Sequence, residues 1–239
     1  MNESNNIYSQ HTSHKFNEEL EKLRSDFLEM GMLVKLQVKD SLHALLNRDV
    51  ALAELTEQLD HKTNKFENSI DRDCEHIIAL RQPAAVDLRL VLSINRAVVD
   101  LERIGDEASR VAKQAIDLTK NDGRTNSLHE VSHIGELVTE MLNSVLVAFE
   151  TGDVELAYKV VKSDHDVDRE YQSAMRSLIT FMMEDSRAIS SVLNIIWILR
   201  SLERIGDHAC NLAEQVIYQV SGTDVRHMDT GEIKKVVRE

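Results

Sequence analysis

Two copies of one six-residue string, Leu101-Glu102-Arg103-Ile104-Gly105-Asp106 and Leu202-Glu203-Arg204-Ile205-Gly206-Asp207, each place a Glu and an Asp four residues apart. On a helix that spacing puts both carboxylates on one face, about 5–6 Å apart at Cβ, and an unneutralised like-charge pair there costs about 0.2–0.5 kcal/mol. Hard oxygen ligands with no neighbouring Cys and few well-placed His suit Mg²⁺, Ca²⁺, Mn²⁺ or iron better than a closed structural zinc site. A bound cation would remove the repulsion. The competing reading is that Arg103, Arg204 and nearby lysines pair weakly with these acids on a solvated face. Duplication favours the cation, because surface charges drift freely after duplication whereas ligands and packing positions do not.

The elements that must position these acids are helices. A chain of 239 residues with one Pro, eight Gly, 4% aromatic and 42% hydrophobic residues lacks the turn residues and aromatics of many-stranded sheets and has enough apolar content for a substantial core. Breaks at Asn47-Arg48-Asp49, Gln82-Pro83, Asn121-Asp122-Gly123, Thr151-Gly152-Asp153, Glu184 to Ser190 and Ser221-Gly222-Thr223 divide it into six long helical segments. Asp49 and Asp153 read as N-caps, Pro83 as a first-turn residue, and Ser127 with Glu130 as a capping box. Leu101, Ile104, Ala108, Val111 and Ala115 form one apolar stripe, and Leu202, Ile205, Ala209, Leu212 and Val216 form its counterpart. Glu102 and Asp106 lie about 100° round the helix from that stripe, at the edge of a groove.

The repeat reaches beyond the string. Glu102 and Glu203 are 101 positions apart, whereas Asp49 and Asp153, and Asp60-His61 and Asp164-His165, are 104 apart. A three-residue difference near Pro83 and Ser186 accounts for the change. The fold expected is therefore all-α: two tandem three-helix bundles related by an internal repeat, over 13–122 and 123–239, behind a flexible tail at 1–12. Folding the second helix back on the third around Pro83 brings Asp106 level with Lys62, and the same operation near Arg187 brings Asp207 level with Val167. Each half then gathers oxygen-bearing side chains from two helices: Asp60, Asn64, Glu102 and Asp106 in one, Asp164, Asp168, Glu203 and Asp207 in the other. Gly105 and Gly206 inside these helices cost up to about 1 kcal/mol each relative to Ala. Close helix packing explains them, and so does room beside the acids for a metal or a partner backbone.

Other candidates are thinner. Glu130 with His133 makes a single ExxH, the unit that di-iron bundles supply from two helices, and Asp73 with His76 is likewise unrepeated. There is no Gly-rich phosphate loop and no GxSxG, so no catalytic or cofactor-binding set is expected. Trp197 stands in an apolar run and reads as core. A formal charge of −13 disfavours nucleic acid. Cys74 and Cys210 have no metal-type spacing and suggest a reducing compartment. The polar N-terminus lacks a signal-peptide run, and the most apolar segment, Val192 to Leu199, is far shorter than a membrane span. A cytoplasmic location follows.

The duplicated Leu-Glu-Arg-Ile-Gly-Asp, Arg81-Gln82-Pro83 followed by Asp87-Leu88-Arg89, and Met182-Met183-Glu184-Asp185-Ser186-Arg187 together resemble the PhoU family of phosphate-signalling regulators, in order and spacing, from about Phe16 to His227. The resemblance implies two three-helix bundles that bind metal ions as multinuclear clusters through E(D)xxxD motifs, with Mg, Mn, Fe, Zn, Ni and Ca all open. It implies a cytoplasmic homodimer acting with the ATPase subunit of a phosphate ABC transporter and a membrane sensor histidine kinase, peripheral to the membrane only through these partners, and negatively regulating the phosphate-starvation response. Glu102, Asp106, Glu203 and Asp207 match the family motif, and Asp164 with Asp168 match a DxxxD. Asn64 departs from it, leaving the first site weaker or differently occupied. The alternative function is a carboxylate-bound metalloenzyme of the helical-bundle class, activating water or oxygen.

Overall fold

The computed structural model describes residues 14–120 and 128–238. The expected tail, the division between the halves at 122/123 and the Ser127 cap fall outside them. Six long helices form in sequence: α1 (His14–Asn47), α2 (Val50–Arg81), α3 (Ala85–Lys120), α4 (Leu128–Thr151), α5 (Val154–Glu184) and α6 (Ile189–Ser221). A short α7 (Thr230–Arg238) follows, and no strand occurs among the described residues. Helices α1, α2 and α3 pack on one another, as do α4, α5 and α6, and α3 lies along α6 at the centre.

Local chemistry sets the boundaries where the sequence places them. Asp49 Oδ1 accepts from the Leu52 amide at 3.0 Å, and Asp153 Oδ1 from the Leu156 amide at 2.9 Å, each satisfying an otherwise unpaired first-turn N–H. The preceding helices both end on a left-handed residue, Arg48 (φ 55°) in the first half and Gly152 (φ 70°) in the second. Glycine takes that conformation without steric cost, and Arg48 takes it against one. Pro83 differs from expectation: Gln82 is the left-handed C-cap of α2, and α3 begins only at Ala85, so the proline stiffens the connection rather than the helix. The seventh helix was not anticipated. Asp229 Oδ1 accepts from the Gly231 and Glu232 amides while Glu232 Oε2 accepts from the Asp229 amide, a reciprocal capping box that starts a nine-residue helix held against α5 by Ile233.

The two apolar stripes are buried as their periodicity requires, and a continuous core runs through both halves. Where α1 meets α4 the repeat becomes a self-complementary contact. A Cβ at Gly31 would strike Leu146, and one at Gly135 would come within 2.7 Å of Leu42. Gly31 and Gly135 are 104 positions apart, and so are Leu42 and Leu146. Each half thus offers one glycine hole and one leucine knob to the other, which is what a duplicated surface packed on itself about an approximate two-fold axis produces. Trp197 corrects the sequence reading: it is 61% exposed. Its helical neighbours at i−3, i+3 and i+4 are Asn194, Arg200 and Ser201, a polar face that the surrounding apolar run Ile195 to Leu199 obscured. Ile195, Ile198, Leu199 and Leu202 take the core, and the indole is left outside.

Candidate functional site

The fold-back register holds at Gly105 and to within one residue at Gly206. Gly105 lies against Thr63 of α2 and Gln37 of α1, and Gly206 against Val167 of α5 and Val138 of α4. Thr63 and Val167 are equivalent by the offset of 104, whereas Val138 corresponds to Val34 and stands about one turn before Met141, the counterpart of Gln37. The environments are not equivalent: Thr63 Oγ1 donates to Gln37 Oε1 at 3.0 Å in the buried first site, where the second site has two valines. A Cβ at Gly206 would meet nothing nearer than 3.5 Å, whereas one at Gly105 would stand 3.2 Å from Thr63 and 3.3 Å from Gln37. Gly206→Ala is therefore expected to stabilise the protein by up to about 1 kcal/mol through helix propensity. Gly105→Ala should gain nothing or lose about 1 kcal/mol because the Thr63–Gln37 bond must shift. Urea unfolding of the two variants side by side checks the contrast.

Beside the second glycine, α5 and α6 gather Asp164, Asp168, Glu203 and Asp207. Burial, then the Asp207 and Asp168 charges, push the Asp164 carboxyl up to about 6. Burial and Asp207 also raise Glu203, and burial and Asp168 raise Asp207. Arg200 Nη1 reaches Glu203 Oε1 at 2.8 Å, while Glu203 Oε2 is buried without a partner. Beside the first glycine, burial raises Asp60 and Glu102, each pushed further by Asp106. Asp60 Oδ1 and Asn64 Oδ1 are buried without partners, and the Asn64 amide makes only a long 3.5 Å contact to Asp60 Oδ2. Arg103 pairs with Glu102 and Asp106 at 3.5 and 3.7 Å, and its single charge cannot neutralise both.

One carboxylate escapes the sequence reading. Glu67, three residues after Asn64 and hence on the same face of α2, is raised by burial and couples to Asp71, Asp106 and Glu102. Its position in the repeat is held by Tyr171 in the second half. The first cluster thus replaces the carboxylate missing at Asn64 with one a turn further along. Helical spacing from Asn64 was the signal.

Desolvated carboxylates that raise one another's pKa, with oxygens lacking any donor, are the donor set a divalent cation fits. As the side chains stand, no three His, Cys, Asp or Glu groups among the described residues converge closely enough to hold a metal ion. The ExxH candidate belongs to a longer unit, His129-Glu130-Val131-Ser132-His133, which has HExxH spacing. With Glu170 of α5 it lines a cleft of about 100 Å³, and here too no three groups converge. Asp73 is a surface partner of Lys22. Cys74 and Cys210 are unpaired, and burial raises both thiols, Cys74 to about 12. Among the described residues no helix is long and apolar enough to cross a membrane.

Sequence reasoning also passed over Glu107, which is 4% exposed on α3. Its Oε1 accepts from Arg110 at 2.6 Å and from Arg204 of α6 at 2.9 Å, and its Oε2 from Ser201 at 2.8 Å. Arg204, the arginine of the second repeated string, is therefore drawn to the α3–α6 seam rather than to Glu203. At the related place on that seam Asp100 contacts His208 at 2.8 Å and accepts from Asn211 at 3.0 Å.

Comparison with known proteins places this geometry. The PhoU domain model matches residues 27–115 and 131–216, once in each half. A phosphate-specific transport system accessory protein PhoU homolog of Pseudomonas aeruginosa is 53% identical over 227 residues, covering 95% of this chain and 94% of its own. The Escherichia coli phosphate-specific transport system accessory protein PhoU is 39% identical over 229 residues, 96% of this chain and 95% of that protein. The crystal structure of PhoU from Pseudomonas aeruginosa superposes with a TM-score of 0.85 at 54% identity, covering 87% of this chain and all of the other. That of the phosphate transport system regulatory protein PhoU from Streptococcus pneumoniae gives 0.81 at 31% identity, covering 88% of this chain and 99% of the other.

Proposed function

This chain belongs to the PhoU family, and from that premise we propose that it is a non-enzymatic regulator of phosphate uptake and phosphate signalling. It docks on the ATPase subunit of a phosphate ABC transporter and on a membrane sensor histidine kinase. When phosphate is plentiful it keeps the kinase from switching on the phosphate-starvation response. It works in the cytoplasm as a homodimer and reaches the membrane only through its partners. The observation that carries this reading is the correspondence of both halves, nearly end to end, with proteins named as accessory or regulatory components of phosphate transport.

Metal ions in this reading are structural. Asp60, Glu102, Asp106 and Glu67, with Asn64, would hold one cluster, and Asp164, Asp168, Glu203 and Asp207 the other. The cation supplies positive charge where buried carboxylates repel, and the chain's own residues do the rest. The acids of α2 and α5 stand opposite those of α3 and α6, so neutralisation ties each outer helix to its central one and stiffens the surface offered to partners.

Deleting the gene in its host is expected to derepress phosphate-scavenging genes in phosphate-rich medium, read by alkaline phosphatase activity or transcript level. Unchanged expression would overturn the proposal.

A further inference from the structure

On the seam between α3 and α6 a cleft of about 300 Å³ is lined by Arg110 and Lys113 of α3 and by Trp197, Arg200 and Arg204 of α6, with Glu107 at its base. This is a basic pocket on a chain whose formal charge is −13. The four cationic side chains remain 47–57% exposed. Each is engaged by a carboxylate on one side only, and an arginine has five N–H donors. Glu107, almost wholly buried, holds Arg110 and Arg204 at fixed positions, so two guanidinium groups stand ready at the wall of the cleft.

The internal repeat supplies a control for helix packing. By the offset of 101, the positions of Trp197, Arg200, Arg204, Lys113 and Arg110 correspond to Arg96, Val99, Arg103, Glu214 and Asn211. The same seam geometry therefore lacks the tryptophan on its other side and keeps a cation at only one of the four positions, Arg103, with Arg96 in place of the indole. Packing does not demand them. Trp197 continues an exposed apolar line along α6, with Leu193 at 45% and Ile189 at 42% exposure one and two turns before it. A small free anion would gain nothing from that line. Its combination with the cations fits a peptide that carries both charge and bulk.

We propose that the α3–α6 cleft is a docking site for an acidic segment of a partner protein, one whose carboxylates flank an apolar side chain that packs on Trp197. The cations steer the segment and fix its register, and the indole provides the central desolvated contact. This rests on the adaptor reading above and adds to it a surface and the chemistry of the partner.

The test replaces Trp197 in the full-length chain with a photo-crosslinking amino acid, in the native host, and sequences the cross-linked peptide. The expected product is an acid-rich segment of another protein, with a yield that falls about tenfold when Arg110→Glu and Lys113→Glu are added. Lys113→Glu alone, at a residue that does not touch Glu107, repeats the charge test should the double variant fail to fold by circular dichroism. No cross-link, a cross-link to a second copy of this chain, a product without acidic residues, or a yield indifferent to charge reversal overturns the proposal. In parallel, the emission of Trp197, the sole tryptophan of the chain, is followed in the purified protein during titration with inorganic phosphate at constant ionic strength. No response is expected, and a saturable shift would reassign the cleft to the free anion. Gene deletion keeps the two readings separate: derepression without an acidic cross-link sinks the docking site alone, and absence of derepression sinks the adaptor reading itself.

Discussion

Asp164→Asn should make the metal-free protein more stable at pH 8, by up to about 3 kcal/mol, the free-energy equivalent of raising a carboxyl from its ordinary 3.8 to about 6. The sign follows from where the proton sits. Well below pH 3.8 Asp164 is protonated in both folded and unfolded chains, and the folded state suffers no repulsion. As the pH rises from 4 through 6 the unfolded chain releases its proton first, and the folded state loses stability because ionisation there is opposed by burial, Asp207 and Asp168. An amide of the same shape never ionises, so the variant matches the wild type at pH 4 and exceeds it at pH 8. For a chain of this size the full gain corresponds to roughly 6–12 °C in melting temperature. With a divalent metal present the order should reverse. The wild type gains about 4.1 kcal/mol at a thousandfold excess over Kd, more than the variant's lead, and the variant, short of one ligand, gains much less. Thermal melts at pH 4 and pH 8, with chelator and with Mg²⁺ or Mn²⁺, read all four corners. A variant less stable than wild type at pH 8 in chelator would end the electrostatic account of the site. Glu214, pushed up to about 7 mainly by burial and Asp224, adds a second loss of stability between pH 4 and 7 that Asp164→Asn leaves in place.

Glu107→Gln should lower stability by about 1–3 kcal/mol, because a buried carboxylate that accepts from Arg110, Arg204 and Ser201 is replaced by a group whose amide faces donors. The two guanidinium groups are half exposed and recover part of the loss by turning to water, which keeps the cost below that of orphaning a fully buried charge. Asp100→Asn, at the related place on the seam, should cost less, under about 1 kcal/mol, since Asp100 engages one histidine and one amide and no arginine. Urea denaturation of the two variants, with a double-mutant cycle of Glu107→Gln and Ser201→Ala to isolate the contact across α3 and α6, decides the matter. Equal losses at Glu107 and Asp100 would mean that the buried arginine pairing adds nothing.

The sequence by itself determined the six long helical segments, the two apolar stripes, the duplication, the level at which Gly105 meets Thr63 and, to within one residue, the level at which Gly206 meets Val167. Each of these is carried by periodicity along one chain or by a short fold-back, where helix geometry leaves little freedom. It also determined the family, because the repeated string and the two connecting motifs keep their order and spacing. Only the tertiary structure decided what depends on which helix crosses which. Glu107 follows Asp106 in a charged stretch and becomes a buried anchor only because α6 passes over it. Arg204 repeats Arg103 letter for letter, yet Glu107 draws it away from the acids that Arg103 stands beside. Leu-Glu-Arg-Ile-Gly-Asp is thus one string with two electrostatic outcomes. Local spacing fixes which carboxylates share a face, whereas the charge balance around them is set by side chains that arrive from across the seam.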